Sequence, residues 1–321
     1  MKKILALVLA LTLTLGCVPA MADVNWPEFI TIGGGGSSAT FYAVATAVGN
    51  LISQNSTCVA TGSATNGGTN NMQLLAAKEI ELGMADQFTA MGAYKGTGTF
   101  EGAAVENLRA IGVIYRGYFA IEAVPASNIK TWEDLAGKRI CVGMAASGTE
   151  NVTREVFSAM GYDYVNANDI KAEYVGASSG TDLLQNGQAD AMTFFAPIPD
   201  SSQTELILTT SAYPISLSDE ALAILGAEGS AFTADVIPAG TYTTQPEDVK
   251  TVYTPMVLWT TADMDEEVIY EITKLIHTNL DDLALSHNVF GKITDESLLA
   301  GISIPLHDGA LRYYTEAGLI K

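Results

Sequence analysis

Residues 111–124 read IGVIYRGYFAIEAV, an apolar run with few interruptions. Strands in a compact sheet usually have about 5–6 residues, so this run is long for one strand of a single sheet. A strand that crosses from one lobe of the protein to another would explain its length. Residues 254–260, TPMVLWT, form a second apolar run that would carry the chain back. No low-complexity linker lies between the two regions, so the sequence favours a hinged pair of lobes.

Beyond these runs, strand-like and helical patterns alternate. A strand, a loop of small residues and a helix follow one another near 30–52 and again near 139–160. The helix of the first unit has apolar residues at the spacing of one helical face, namely Val44, Val48, Leu51 and Ile52. Near the C-terminus, residues 264–285 have the pattern of a single amphipathic helix. The alternation predicts an α/β protein with mainly parallel sheets.

Three of the predicted helices begin directly after loops of glycine, serine, threonine and asparagine, at 35–38, 65–71 and 147–151. The first turn of a helix has about four N–H groups without a partner, and small side chains let a ligand approach them. In α/β proteins, ligands bind at the carboxyl ends of the strands, where such loops lie. Each loop alone could be a tight turn with a good N-cap. Three loops in two lobes favour a site for an anion, typically a carboxylate.

The net charge of the chain is −20, from 16 Lys and Arg residues against 36 Asp and Glu residues. Such acidity excludes a basic surface for nucleic acid or for a phosphate-rich membrane, although a local pocket can still bind an anion. The loop GGGGSS at 33–38 lacks the Lys-Ser/Thr of a phosphate-binding loop and the third glycine of a dinucleotide motif. We therefore expect neither a nucleotide nor another cofactor.

The residue pattern also lacks the usual signs of catalysis or metal binding. The histidines, at 277, 287 and 307, have a spacing that no metal motif uses, and no G-x-S-x-G occurs. Cys58 and Cys141 lie in apolar, strand-like sequence, which is typical of buried thiols. We expect a protein that is not an enzyme. The alternative is an exported enzyme on the same architecture, which would need an activated nucleophile or a metal.

The N-terminus has the pattern of an export signal. Two lysines precede the apolar segment 4–15, and AMA at 20–22 offers the small residues that a signal peptidase recognises. We therefore expect a signal peptide over 1–22 and a periplasmic or extracytoplasmic protein. Cleavage before Cys17, which ends an imperfect lipobox, is the alternative and would give a lipid-anchored form of the same protein.

Five blocks spread along the chain follow one known pattern. They are IGGGG at 32–36 with Phe41-Tyr42, TNGGTNN at 65–71, the region 132–149, the region 186–199 and PLHDGALRYYTEAG at 305–318. These blocks resemble the TAXI-family solute receptors of TRAP transporters, over nearly all of the chain beyond the signal peptide. Asn66 and Gly68 depart from the family pattern, and Asp86 stands where the family usually has Gln. By the same resemblance, His307 is expected to be a packing and capping residue.

The resemblance implies a two-lobed periplasmic-binding-protein fold, type II-like, that closes on a small anionic solute in a central cleft. We expect lobe 1 to comprise 23–117 and 259–321, and lobe 2 to comprise 118–258. The implied function is the receptor of a TRAP-type uptake transporter, which binds an amino or keto dicarboxylate such as glutamate or 2-oxoglutarate. The implied partners are fused membrane permease subunits, and the receptor itself is expected to be a monomer. The alternative is a ligand-loaded sensor partner of a membrane signalling protein.

We expect the ligand to contact N–H groups and hydroxyls of the three helix-start loops, at Gly35, Gly36, Ser37, Ser38, Thr65, Gly67, Gly68, Ser147, Gly148 and Thr149. Tyr42 and Phe194 would form walls of the site, and Gln87 and Arg116 would add polar contacts. Arg116 either binds the ligand carboxylate or pairs with an acid of the protein. Asp86, if it faces the cleft, favours a ligand that carries an amine as well as a carboxylate; otherwise it only caps a loop.

Overall fold

The computed structural model describes residues 24–37, 39–145, 147–227 and 229–320. The signal peptide expected over 1–22, with Cys17 in it, lies outside the described residues. Within the described ranges, no helix has both the length and the apolar character needed to cross a membrane.

Strands and helices alternate along the chain. The strands are β1 (Phe29–Gly33), β2 (Val59–Ser63), β3 (Leu82–Asp86), β4 (Leu108–Ala123), β5 (Arg139–Cys141), β6 (Lys171–Glu173), β7 (Ala191–Ala196), β8 (Tyr213–Pro214), β9 (Thr233–Ile237) and β10 (Val249–Thr261). The helices are α1 (Thr40–Asn55), α2 (Gly68–Ala76), α3 (Gln87–Lys95), α4 (Gly148–Ala159), α5 (Ala177–Gln185), α6 (Ser201–Thr210), α7 (Asp219–Leu225), α8 (Glu266–Thr278), α9 (Leu280–Ser286) and α10 (Asp308–Glu316). The α/β class expected from the sequence is confirmed.

The strands pair in the order β2-β1-β3-β10-β4-β7-β5-β6, with β8 beside β4 and β9 beside β10. β1 is parallel to β2 and β3, and β5 is parallel to β6 and β7. Between these two parallel sets lie β4 and β10, which are antiparallel to each other and to their outer neighbours. The two long apolar runs of the sequence are therefore the strands that connect the two halves of the fold.

Two of the four groups of buried apolar residues meet on these connecting strands. One group joins β1 and β3 with α1, α8 and α10, and it includes Ile114 of β4 and Met256 and Leu258 of β10. The other group joins β5 and β7 with α4 and α7, and it includes Phe119 of β4 and Val252 of β10. On β10 the change from one group to the other lies between Val252 and Met256, and the limit between the lobes at 258/259 stays a prediction.

The pairing of β4 with β10 is irregular close to this division. Register shifts follow Met256 and Leu258 of β10, and at each place β4 has an extra residue. A bulge of this kind bends a strand and increases its twist. Gly117 packs directly beside the bend, because a side-chain carbon there would overlap Met256 Cε and would lie 3.1 Å from the Phe195 ring. The crossing is thus both bent and tightly packed.

The single helix predicted over 264–285 is wrong, because α8 and α9 are separate helices that meet at Asn279. Asn279 has φ −123° and ψ 26°, outside the helical range. Its side-chain amide donates to the carbonyl oxygen of Leu275 at 2.8 Å, which competes with the backbone hydrogen bonds of the helix. The apolar face nevertheless continues through both helices, with Ile272, Ile276 and Leu283 in one core.

Three expectations about single side chains are confirmed. Cys58 and Cys141 are free, buried thiols, and burial raises the pKa of Cys141 to about 12. His307 is the N-cap of α10, where its Nδ1 accepts a hydrogen bond from the N–H of Gly309 at 3.2 Å. Its Nε2 lies 3.1 Å from the carbonyl oxygen of Met264, so the ring joins α10 to the segment before α8. His307 is therefore a structural residue.

The fully buried side chain of Asn71 connects the loops at the end of the first parallel set. Its Nδ2 donates to the carbonyl oxygens of Gly33 at 3.1 Å, Gly34 at 2.6 Å and Met84 at 2.7 Å. Its Oδ1 accepts from Thr65 Oγ1 at 2.7 Å. One amide on α2 thus holds the ends of β1 and β3 and the loop after β2 in fixed relative positions.

We predict that Asn71→Ala lowers the free energy of unfolding by on the order of 3 kcal/mol, because buried carbonyl groups lose their donors. Urea unfolding followed by circular dichroism measures this change. The neighbouring Asn70 accepts one exposed hydrogen bond of 3.2 Å from the N–H of Asn66, so Asn70→Ala should cost less than about 1 kcal/mol. Equal effects of the two substitutions would contradict a special role for Asn71.

Candidate functional site

A cavity of ≈ 740 Å³ opens between the two halves of the fold. It lies at the carboxyl ends of the parallel strands of both sets, since residues at or just after these ends line it: Gly35 after β1, Thr65 after β2, Asp86 of β3, Gly143 after β5, Val175 after β6 and Ala196 of β7. Ligands of α/β proteins bind in such a crevice, and the volume is typical of a small-molecule site.

Six helices begin at this cavity. Residues at the first turn or the N-cap of α1, α2, α3, α4, α5 and α6 all line it, among them Thr40, Gly68, Asp86, Gly148, Ala177 and Ser201. Sequence reasoning found the starts of α1, α2 and α4 from their glycine-rich loops. It missed α3, α5 and α6, although Asp86 and Asp200 are acceptors that commonly cap a helix directly after a strand.

The six helix starts differ in how they are capped. Asp86 caps α3 and Asp200 caps α6, each through a carboxylate oxygen. The N-cap residues of α1, α2 and α5 are Ala39, Gly67 and Gly176, and none of them makes a side-chain cap hydrogen bond. α4 is capped by the neutral hydroxyl of a serine. Four helix starts therefore lack an acidic cap, although α4 has the buried Glu150 in its first turn, where it pairs with Arg154.

The carboxylate of Asp86 lies at the closest approach of these helix starts. Its residue is 1 % exposed, and its two oxygens accept from the N–H and the hydroxyl of Thr89, both at 2.8 Å. A side-chain carbon on Gly68 or Gly148 would lie only 3.7 Å or 3.6 Å from Asp86 Oδ2. The carboxylate thus caps α3 and lies beside the start of α2 on the same side of the cleft and the start of α4 on the other. Burial raises its pKa, although the hydrogen bonds from Thr89 oppose that effect.

Among the described residues that line the cavity, Asp86 and Asp200 are the charged ones, and no Lys, Arg or His accompanies them. Arg116 lies outside the cavity lining: its exposed guanidinium is 3.8 Å from Asp235 and lies 4.6 Å from the centre of the Tyr253 ring. The arginine therefore pairs with a protein acid, one of the two roles considered for it. No side-chain cation of the described cavity wall can neutralise a bound anion.

Ten of the predicted site residues line the cavity: Gly35, Gly36, Thr65, Gly67, Gly68, Asp86, Ser147, Gly148, Thr149 and Phe194. Four others do not. Besides Arg116, these are Ser37, which lies in an exposed turn, Tyr42, and Gln87, whose buried Nε2 donates to Ser303 Oγ at 2.7 Å. The backbone of Tyr42 packs against Gly34, and its neighbour Phe41 faces the cavity instead. Ser38 lies outside the described residues.

The cavity walls also include apolar residues that sequence reasoning did not single out, among them Phe41, Tyr115, Met144, Met192, Phe195 and Met256. Tyr115 comes from β4 and Met256 from β10, so the connecting strands form the floor between the two halves. Burial raises the pKa of the Tyr115 hydroxyl well above its usual value, and the negative charges of Asp200 and Asp86 raise it further. The hydroxyl stays protonated and is available as a donor.

A chain of buried hydrogen bonds connects the backbone of Asp200 to Glu122. The N–H of Asp200 donates to the Tyr242 hydroxyl at 3.0 Å, and that hydroxyl donates to Gln203 Oε1 at 2.8 Å. Gln203 Nε2 in turn donates to Glu122 Oε1 at 2.6 Å. Glu122 is 0 % exposed, and burial raises the pKa of its carboxyl to about 8, with the hydrogen bond from Gln203 as the smaller, opposing effect.

We predict a stability change with pH that depends on Glu122. The folded protein retains the proton up to about pH 8, whereas the unfolded chain loses it near pH 4.5, so the free energy of unfolding should fall as the pH rises between these values. Glu122→Gln keeps the acceptor for Gln203 without a charge. The loss of unfolding free energy between pH 5 and pH 8, measured by urea titration, should therefore be smaller in Glu122→Gln than in wild type by on the order of 3 kcal/mol. The exposed Glu101→Gln is the control, and parallel profiles for wild type and Glu122→Gln would contradict the prediction.

The cavity wall offers hydrogen-bond donors and acceptors to a ligand. Over the described residues, no cluster of His, Cys, Asp and Glu could hold a metal ion. The lining hydroxyls and backbone N–H groups can donate hydrogen bonds, and the two carboxylates can accept them. The cavity can therefore hold a small molecule by hydrogen bonds and apolar contacts.

Comparison with known proteins places the chain in a family and a fold. The profile of the NMT1-like family matches residues 32–318, which is most of the chain. The periplasmic aliphatic sulphonate binding protein SsuA from Escherichia coli has a similar fold, with 14% identity, a TM-score of 0.51, and coverage of 91% of this chain and 84% of that one.

Two further solved structures have a fold similar to that of this chain. A Xanthomonas citri protein solved with bound ATP has 10% identity and a TM-score of 0.54, with coverage of 91% of this chain and 97% of that one. A Bordetella bronchiseptica protein has 15% identity and a TM-score of 0.50, with coverage of 90% and 89%. At such identities the likeness concerns the fold, and the two-lobed periplasmic-binding-protein fold expected for this chain is confirmed.

Proposed function

This chain belongs to the NMT1-like family, and we propose that it is the extracytoplasmic solute receptor of a TRAP-type uptake transporter. Its ligand is a small carboxylate, an amino or keto dicarboxylate such as glutamate or 2-oxoglutarate, bound in the cavity between the lobes. The protein is a monomer that delivers the solute to the fused membrane subunits of the transporter. It acts as a receptor and not as an enzyme.

The observation that carries this proposal is the convergence of six helix starts on one cavity of ≈ 740 Å³. Four of these starts have no acidic cap, so their N–H groups and dipoles can bind a carboxylate without an arginine or lysine. The glycines at the starts of α2 and α4 let the ligand reach the backbone closely. The resemblance of the sequence blocks to TAXI-family receptors supports the TRAP-type transporter as the partner.

The ligand is expected to join the two lobes. We take lobe 1 as 23–117 with 259–321, and lobe 2 as 118–258, as expected from the sequence, with the bent crossing of β4 and β10 as the hinge. Across the cleft, Asn151 Nδ2 of α4 donates to Thr69 Oγ1 of α2 at 3.2 Å, and the rings of Phe88 and Phe232 lie 5.2 Å apart. Closure of such a pair around a ligand is common in this fold class, and it would form the surface that the membrane subunits recognise.

A thermal-shift screen tests the receptor function. The exported chain, freed of bound solute by unfolding and refolding, is tested against amino acids, dicarboxylates, keto acids, sugars and nucleotides. A ligand at 100 times its dissociation constant should stabilise the protein by about 2.7 kcal/mol. A shift with small carboxylates is expected. A response only to sugars, nucleotides or cations would contradict the carboxylate site.

We further predict that Gly148→Val lowers the affinity for that carboxylate at least roughly 10-fold, because the new methyl groups occupy the approach to the start of α4. The nearest atom to a side-chain carbon on Gly148 is Asp86 Oδ2 at 3.6 Å, so the fold should tolerate the change. Isothermal titration calorimetry measures the affinity. Ala76→Val, at the exposed end of α2, is the control and should bind normally. Unchanged affinity of Gly148→Val would mean that the ligand lies elsewhere.

A further inference from the structure

The N-cap residues of the helices give different parts of the cavity wall opposite electrostatic character. The uncapped or neutrally capped starts of α1, α2, α4 and α5 attract negative charge, whereas the acidic caps of α3 and α6 bring two carboxylates to the same cavity. A ligand with only negative groups would meet attraction on one part of the wall and repulsion on another. A ligand with one group of each sign would match both parts.

Of the two carboxylates, Asp86 interacts more strongly with a charged group of a ligand. It is 1 % exposed, so its charge is little screened by water, whereas Asp200 is half-buried. A carboxylate has about four lone-pair sites, and Thr89 uses one on each oxygen of Asp86. Each oxygen can accept more than one hydrogen bond, and Asp86 is one of the residues that line the cavity.

A buried carboxylate normally has a positive partner, because desolvation makes an isolated charge costly. Along the described cavity wall no Lys, Arg or His provides one, and Arg116 pairs with Asp235 outside it. Asp86 is stabilised by its place at the start of α3 and by the hydrogen bonds from Thr89, and an ammonium group of a ligand would add the positive partner that the described cavity wall does not provide. The Tyr115 hydroxyl, which is affected by the charges of both acids, is a neutral donor and does not supply it.

We propose that Asp86 binds an ammonium group of the ligand and so makes the site selective for an amino acid over the corresponding 2-oxo acid. The amino acid carboxylate binds at the helix starts without acidic caps, and the ammonium group binds the carboxylate of Asp86. This inference rests on the proposed function, because it assigns the ligand class within the same carboxylate site. It narrows the amino or keto acids of that proposal to the amino acids.

The test compares matched pairs of ligands by isothermal titration calorimetry: L-glutamate with 2-oxoglutarate, L-leucine with 4-methyl-2-oxopentanoate, and L-phenylalanine with phenylpyruvate. For any pair that binds, we expect the amino acid to bind wild-type protein at least roughly 10-fold more tightly. Asp86→Asn should weaken amino-acid binding by about 10- to 100-fold and leave the 2-oxo acid unaffected or better bound. Asparagine is itself a good N-cap, so α3 should remain folded.

Asp235→Asn is the matched control, since it removes one negative charge beside Arg116 outside the cavity wall and should leave the ratio of the two affinities unchanged. Equal or tighter binding of the 2-oxo acid by wild type would overturn the assignment of Asp86 and leave the carboxylate receptor intact. If the ratio of the two affinities is unchanged in Asp86→Asn, the assignment of Asp86 is likewise overturned and the carboxylate receptor remains. If no member of any pair binds, the proposed function itself is wrong, and the inference falls with it.

Discussion

The side-chain amide of Asn71 is the contact on which the geometry of the site depends most. It links the carbonyl groups of Gly33, Gly34 and Met84 and accepts from Thr65, so one residue fixes the ends of β1 and β3 and the loop after β2. These are the segments that lead into α1, α2 and α3. Without that bridge, the three loops would lose the hydrogen bonds that fix their positions relative to one another.

The convergence itself follows from the chain topology. Parallel strands end at the same edge of a sheet, and each strand of the two sets passes the chain to a helix after a short loop. Because two such sets face one another across β4 and β10, the helix starts of both meet in a single cleft. Backbone dipoles can then do what cationic side chains do elsewhere, which is compatible with a chain of net charge −20.

The parts of this fold that depend on local sequence could be predicted. The glycine-rich loops indicated three helix starts, and the length of the run at 111–124 indicated the crossing of β4. The direction of individual side chains could not, because it depends on tertiary packing. Tyr115 and Arg116 are neighbours on a strand and must point to opposite faces. The sequence did not reveal that the cavity lies on the side of Tyr115. In the same way, it did not reveal that Phe41 of α1, and not its neighbour Tyr42, lines the cavity.

The central claim is that backbone N–H groups of the helix starts hold the ligand carboxylate and that Asp86 holds its ammonium group. A crystal structure of the protein with its tightest-binding amino acid tests this most directly. The account predicts carboxylate oxygens about 3 Å from N–H groups at the starts of α2, α4 or α5, and the ammonium nitrogen at a similar distance from Asp86. A ligand whose carboxylate is bound by Arg116, or one that lies outside the cavity, would contradict it.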